Sequence, residues 1–165
     1  MDFILRGWLE GDAESLAKHA NNFKIAKNLR NVFPHPYSIE DAHAYIARSQ
    51  NKPTNKFAIV IEGEACGGAG IFQQDDVYCK NAELGYWLSE QFWGNGVMSK
   101  VVKQMVQYGF KTFDVTRIFA VPYGTNLASQ RVLEKAGFTL EAILEKTIFK
   151  NGEFEDEHIY AIRKT

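Results

Sequence analysis

The chain lacks most of what would staple a small protein together or carry it to a membrane. It has only two cysteines in 165 residues. Cys66 and Cys79 make neither a CxxC pair nor a Cys/His spacing suited to zinc, so no metal is assigned and two reduced thiols are expected. The four histidines, His19, His35, His43 and His158, show no ligand spacing either and read as surface or packing residues. No apolar run approaches the ~18 residues of a membrane span, and Met1-Asp2-Phe3 lacks the basic start and apolar core of a signal peptide. A cytoplasmic protein is expected. Net charge is only −1, with basic residues dispersed, which leaves no electrostatic footprint for nucleic acid or a membrane surface. Repeats, low-complexity tracts and linkers are missing too, so residues 1–165 read as one domain. At this length roughly 70% of the unfolded surface can be buried without staples.

What is present is a glycine turn. Gln91-Phe92-Trp93-Gly94-Asn95-Gly96 follows an apolar run over residues 82–88 and opens an amphipathic segment over 97–113. Such a turn leaves the first backbone N–H groups of the helix unpaired and pointing outward, where they suit a phosphate. The nucleoside-triphosphate loop is rejected, because Val97-Met98 stands where it needs Lys-[Ser/Thr]. A dinucleotide loop is weakened: Ser99 could imitate its third small residue, but Asp114, at the spacing of the acidic residue, precedes the next apolar run instead of ending it.

The turn resembles the Gln/Arg-x-x-Gly-x-Gly/Ala pyrophosphate loop of the GNAT superfamily of acyl-CoA-dependent N-acyltransferases, with Gln91, Gly94 and Gly96 at the fixed positions. A second block, Asn126-Leu-Ala-Ser129 through Glu134-Lys135-Ala-Gly137-Phe138, resembles the matching segment of the Rim-type ribosomal-protein amino-terminal acetyltransferases. Leu5-Arg6-Gly7-Trp8, Glu83-Leu-Gly85-Tyr86-Trp87-Leu88 and the closing Asn151-Gly152, Asp156, Tyr160-Ala161 extend the likeness nearly end to end. It implies a single α/β layered domain with a central mixed, mostly antiparallel sheet flanked by helices.

The residue patterns agree with that order. Residues 4–9 read as a strand and 12–23 as a helix with Asp12 and Glu14 near its positive end. Ser38-Ile39-Glu40-Asp41 has the form of a capping box, opening a helix that runs to Ala47 or Arg48. Phe33, His35, Pro36 and Tyr37, in the loop before it, read as a packed connector or a substrate contact. Residues 57–61 and 65–72 form a hairpin in which Gly67, Gly68 and Gly70 mark a bulge or close packing. The 82–88 strand leads to the glycine turn and a helix with Met98, Val101, Val102, Met105, Gly109 and Phe110 on its core side. A strand over 117–122, a helix over 127–136 ended by Gly137, and a hairpin of 138–149 with 154–162 close the chain.

The resemblance implies acetyl-CoA as co-substrate, an amine as acceptor and a possible homodimer. Backbone N–H groups from Gly94, Asn95, Gly96, Val97, Met98 and Ser99, with Gln91 and Phe92 beside them, would hold the pyrophosphate. Tyr86, Trp87 and Leu88 would offer a strand edge to the pantetheine amides, and Gly85 would mark a bulge or close packing. Asn126 would fix the pantetheine arm or cap its helix, Ser129 would hand a proton to the departing thiolate, and Lys135 would lie near the adenine end. The implied reaction is direct attack of a primary amine on the thioester. Glu83 is the leading base, with Glu145 and Asp156 as alternatives for meeting a cationic amine. Where some superfamily members carry a glutamate and a tyrosine, this chain has Ala120 and Leu133. That departure keeps a catalytically silent acyl-CoA sensor open as an alternative function.

Overall fold

The computed structural model describes residues 1–165. Its elements are β1 (Ile4–Gly7), α1 (Ala13–Ala20), α2 (Phe23–Ala26), α3 (Ile39–Ala47), β2 (Lys56–Ile61), β3 (Glu64–Gln73), β4 (Asn81–Leu88), α4 (Val97–Thr112), β5 (Arg117–Ala120), α5 (Leu127–Lys135), β6 (Thr139–Lys150) and β7 (Glu153–Arg163). Seven strands form a sheet in the order β1-β2-β3-β4-β5-β7-β6. Pairing is antiparallel at β1–β2, β2–β3, β5–β7 and β6–β7 and parallel at β4–β5. This is the expected α/β architecture with a mixed, mostly antiparallel sheet. No helix is long and apolar enough to cross a membrane. By its internal contacts the chain divides into two compact units, residues 1–70 with 86–97 and residues 71–85 with 98–165.

The first unit is built around Trp8, Leu16, Ile46 and Val60, with Phe33, Tyr45 and Trp87 packed against them. The expected helix over 12–23 is broken in two. Asparagine side chains compete with the helix for backbone partners: Asn22 accepts from the Lys24 N–H at 2.9 Å and starts α2, while Asn21 accepts from the Tyr37 N–H at 3.0 Å. Ser38 caps α3 as expected, accepting from the Asp41 N–H at 3.1 Å while Asp41 accepts from the Ser38 N–H at 2.9 Å. The β2–β3 turn has Glu62 and Gly63 both at positive φ, 52° and 83°. Beyond it the β2–β3 register slips between Ile59 and Val60, leaving Cys66 as the extra residue. Burial raises the Cys66 thiol to about 11, so it stays protonated at neutral pH.

Asp12 anchors the chain ahead of α1 without capping it. Its carboxylate accepts from Arg6 at 2.7 and 2.9 Å and from the Leu9 N–H at 2.8 Å. Burial pushes this carboxyl up, but the hydrogen bonds from Arg6 and Leu9 bring it below its ordinary value. A group held low in the folded state contributes stability above its unfolded pKa of about 3.9, and that contribution is lost as pH falls through the folded value. Asp12→Asn should therefore cost on the order of 2 kcal/mol at pH 7, with the gap to wild type narrowing below about pH 4. Urea midpoints of both proteins at pH 7 and pH 3 check this; a gap that is constant or widens in acid would remove Asp12 from the account.

In the second unit, α4 lays Val101, Val102 and Met105 into the core as its spacing predicts, together with Val106, which the expected stripe left out; Met98 and Phe110 of that stripe are half-buried. Gly109 is there for contact: a Cβ would collide with Ile71 and Ile118. Gly137 ends α5 at φ 97°, and Asn151-Gly152, at φ 52° and 78°, makes the tight β6–β7 turn in the left-handed geometry that hairpins prefer.

Candidate active site

The glycine turn is exposed and shaped by its own side chains. Gly94 and Gly96 have φ of 79° and 72°, which L-residues enter at a cost of about 1–2 kcal/mol. A Cβ at either would meet nothing within 4 Å. The glycines thus serve backbone direction and open approach from solvent, not packing. Trp93 Nε1 donates to the Leu88 carbonyl at 2.8 Å, folding the turn back on the strand end. Asn95 Nδ2 donates to the carbonyls of Phe92 and Trp93, both at 3.2 Å, so the Asn95 side chain braces the turn. The turn runs into α4, 16 residues long, and the first N–H groups of a helix have no carbonyl of that helix to meet. Its first turn holds no acidic residue to compete with an anion. Val97 is 1% exposed; its side chain is core, and only its main chain remains for a ligand, while Met98 and Ser99 are half-buried.

Upstream of the turn, three residues that the sequence pattern passed over hold the strand end. His19, on α1, meets the Ser89 Oγ through Nδ1 at 2.9 Å and Glu64 Oε2 through Nε2 at 2.7 Å. The Ser89 N–H donates to the Cys66 carbonyl at 2.8 Å. Glu90 accepts from Asn22 at 2.8 Å and from Lys24 at 2.6 Å, and these bonds, the one from Lys24 first, hold its carboxyl below the ordinary range. Residues 45 and 70 positions apart leave no local signature, which is why sequence spacing did not find them.

Of the strand-edge residues, Leu88 is buried and Tyr86 and Trp87 are half-buried. Gly85 is exposed and a Cβ there would meet nothing within 4 Å, so close packing is not why glycine stands there. Phe33 packs on Tyr37 and edge-on against Trp87, at centroid distances of 5.1 and 5.6 Å. The loop before α3 is thus a packed connector at Phe33 and Tyr37, while His35 and Pro36 stay exposed.

In the second unit, Asn126 caps α5, its Oδ1 accepting from the Ser129 N–H at 3.3 Å. Ser129 itself is half-buried in the first turn, and Gln130 ties that turn down by donating to the carbonyls of Tyr123 and Gly124 at 3.2 and 3.1 Å. Glu83 is half-buried on β4 opposite Phe119 of β5. Ala120 and Leu133 are both core, at 3% and 0% exposure, so neither position offers a proton. Asp156 accepts from the Lys146 N–H at 2.8 Å, a structural contact, and Glu145 and Lys135 are exposed. Asp114 pairs with Lys80 and is no ribose ligand. No group of three or more His, Cys, Asp or Glu side chains converges as a metal site would need.

An exposed glycine turn at the start of a helix suits the binding of an anion such as a phosphate. Residues 2–139 match the acetyltransferase (GNAT) domain family. An uncharacterised N-acetyltransferase of Bacillus subtilis (strain 168), YoaA, is 30% identical across 98% of this chain and 93% of its own length. The ribosomal-protein-serine acetyltransferase of Escherichia coli (strain K12) is 30% identical across 64% of this chain and 59% of its own. Among solved structures, a GNAT-family acetyltransferase from Bacillus anthracis aligns with a TM-score of 0.85 at 22% identity over 99% of this chain and 95% of that one. RimL, a ribosomal L7/L12 α-N-protein acetyltransferase solved with coenzyme A, also gives 0.85, at 23% identity over 98% and 93%. The order of strands, the glycine turn and these matches together make the chain a member of the GNAT acetyltransferase family.

Proposed function

We propose that the protein transfers the acetyl group of acetyl-CoA to a primary amine, at a protein amino terminus or on a small molecule, by direct attack without a covalent enzyme intermediate. The observation that carries this reading is the turn at Gly94-Asn95-Gly96, whose glycines have left-handed backbone and open space where side chains would be. Bare amides at a helix start hold a pyrophosphate. Tyr86, Trp87 and Leu88 would pair with the pantetheine amides. A backbone N–H near Leu88 would, by analogy with the family, steady the oxyanion that develops on the thioester.

An α-amino group near pKa 8 or a lysine near 10.4 arrives mostly protonated at neutral pH. One proton leaves the ammonium for Glu83 through a water. The free amine then attacks the carbonyl carbon, the C–S bond breaks, and Ser129 passes a proton to the departing thiolate while taking the second proton released from nitrogen. Among relatives, one E. coli enzyme is named for a ribosomal-protein serine and another, 23% identical over 79% of this chain, for N(1) of spermidine, so both protein and small-molecule acceptors belong in the test.

The experiment is a screen for free CoA release from acetyl-CoA against peptides with different amino termini, polyamines, amino acids and aminoglycosides. Release dependent on one added amine is the expected result. Acetyl-CoA binding with no release across the panel would instead favour the silent sensor, which the absence of a glutamate and a tyrosine at Ala120 and Leu133 motivates. Thermal stabilisation by NAD or FAD and not by CoA would reject both.

A further inference from the structure

We infer that His19 is a positioning residue for the coenzyme: with the exposed Glu64 and the buried Ser89 it forms a relay that sets the junction between β4 and the glycine turn, and so the grip on the pyrophosphate. This rests on the function proposed above. The relay ties three elements that are distant in sequence, α1 through His19, the start of β3 through Glu64, and the exit of β4 through Ser89. His19 and Ser89 are 5% and 7% exposed, so the inner bond is largely shielded. Ser89 follows Leu88, the last residue of the proposed pantetheine edge, and stands two positions before Gln91, the first residue of the proposed pyrophosphate loop.

Its chemistry is ordered from the outside in. Glu64 lies below its ordinary range because His19, and then Lys18, hydrogen-bond to it. An ionised carboxylate only accepts, so Nε2 of His19 carries the proton between them; in a neutral imidazole Nδ1 is then an acceptor, and the Ser89 hydroxyl donates to it. His19 thus couples the Ser89 hydroxyl to a carboxylate on another strand. His19 and Ser89, with Lys18, Asn22, Glu90 and Gln91, line a surface pocket of about 440 Å³, so one side of the junction faces open space. The bonds to Glu90 from Asn22 and Lys24 brace the next residue from the same side. Nothing in this set touches the amine or the thioester carbon, so its effect falls on coenzyme affinity.

The test compares acetyl-CoA with S-acetylpantetheine, which has the thioester arm but no pyrophosphate. Dissociation constants of both are measured by calorimetry for wild type, His19→Ala and Ser89→Ala. In both variants the constant for acetyl-CoA should rise about tenfold, the size expected for a buried hydrogen bond next to a charge, and that for S-acetylpantetheine should stay within twofold. A general loosening of the fold would weaken both ligands and overturn the inference. Unchanged acetyl-CoA affinity in both variants would overturn it as well, while leaving the proposed function standing. Failure of the wild type to bind acetyl-CoA would overturn the function and this inference together. Should His19→Ala not fold, Ser89→Ala carries the comparison, since it leaves the His19–Glu64 bond in place.

Discussion

Ser129→Ala should lower kcat by about 10²-fold at saturating acetyl-CoA, the usual size of a positioned acid–base group. The reasoning starts from the first turn of α5. A serine at a helix start often serves only as a cap, but here the cap is Asn126, whose Oδ1 takes the Ser129 N–H. The Ser129 Oγ is therefore not needed to begin the helix, and alanine suits that turn better than serine. Melting temperature should consequently move by a few degrees at most. The affinity for acetyl-CoA should also persist, because the proposed pyrophosphate contacts lie on the glycine turn. A kcat within threefold of wild type would remove Ser129 from the proton path, and an equal fall in kcat and in coenzyme affinity would recast it as a binding residue.

Gly67→Val should cost about 3 kcal/mol of stability, the upper part of the range for forcing atoms into a packed interior. A Cβ on Gly67 would sit 2.7 Å from the Trp87 carbonyl oxygen and 3.1 Å from side-chain carbons of Ile59 and Leu88. A side chain can turn away, but the carbonyl belongs to β4 and moves only with its strand. Gly68 repeats the constraint, with the Trp87 ring nitrogen 2.8 Å from the added carbon. For a chain of this length the melting temperature should drop by about 6–12 °C, measured on protein without coenzyme. A loss under 1 kcal/mol would mean that β3 and β4 separate more freely than their contact implies. Because β4 carries Tyr86, Trp87 and Leu88, the same substitution should weaken acetyl-CoA even at temperatures where the variant remains folded.

Much of this architecture could be read from residue order because the signals were local. Ser38 with Asp41, the apolar positions Val101, Val102 and Met105, Gly137 and Asn151-Gly152 each depend on near neighbours in the chain, and each is found where the pattern put it. The glycine turn was legible for the same reason. What the sequence did not disclose depends on partners far along the chain. Asn21 breaks the first helix by serving Tyr37, and Asn22 serves both its own α2 and Glu90; a polar residue gives no hint of which distant group it will meet. His19 read as a surface or packing histidine, and its bonds to Glu64 and Ser89 emerged only once three elements were in place. Asn95 is expected to offer only its backbone N–H; the pattern does not disclose that its side-chain amide donates to the turn's own carbonyls.

The outer strand β6 carries a further consequence. It lies at the margin of the sheet and exposes Leu140, Ile143, Leu144 and Phe149, a composition that invites other chains to add themselves edge to edge. Its ladder with β7 is interrupted twice, between Leu140 and Ala142 and between Leu144 and Ile148. At the second break Lys146 turns to φ 52° and gives its N–H to Asp156. The apolar margin is thus cut into short, kinked stretches, and a charged lysine marks the cut. Straightening that kink would restore a longer continuous edge to which other chains could add themselves.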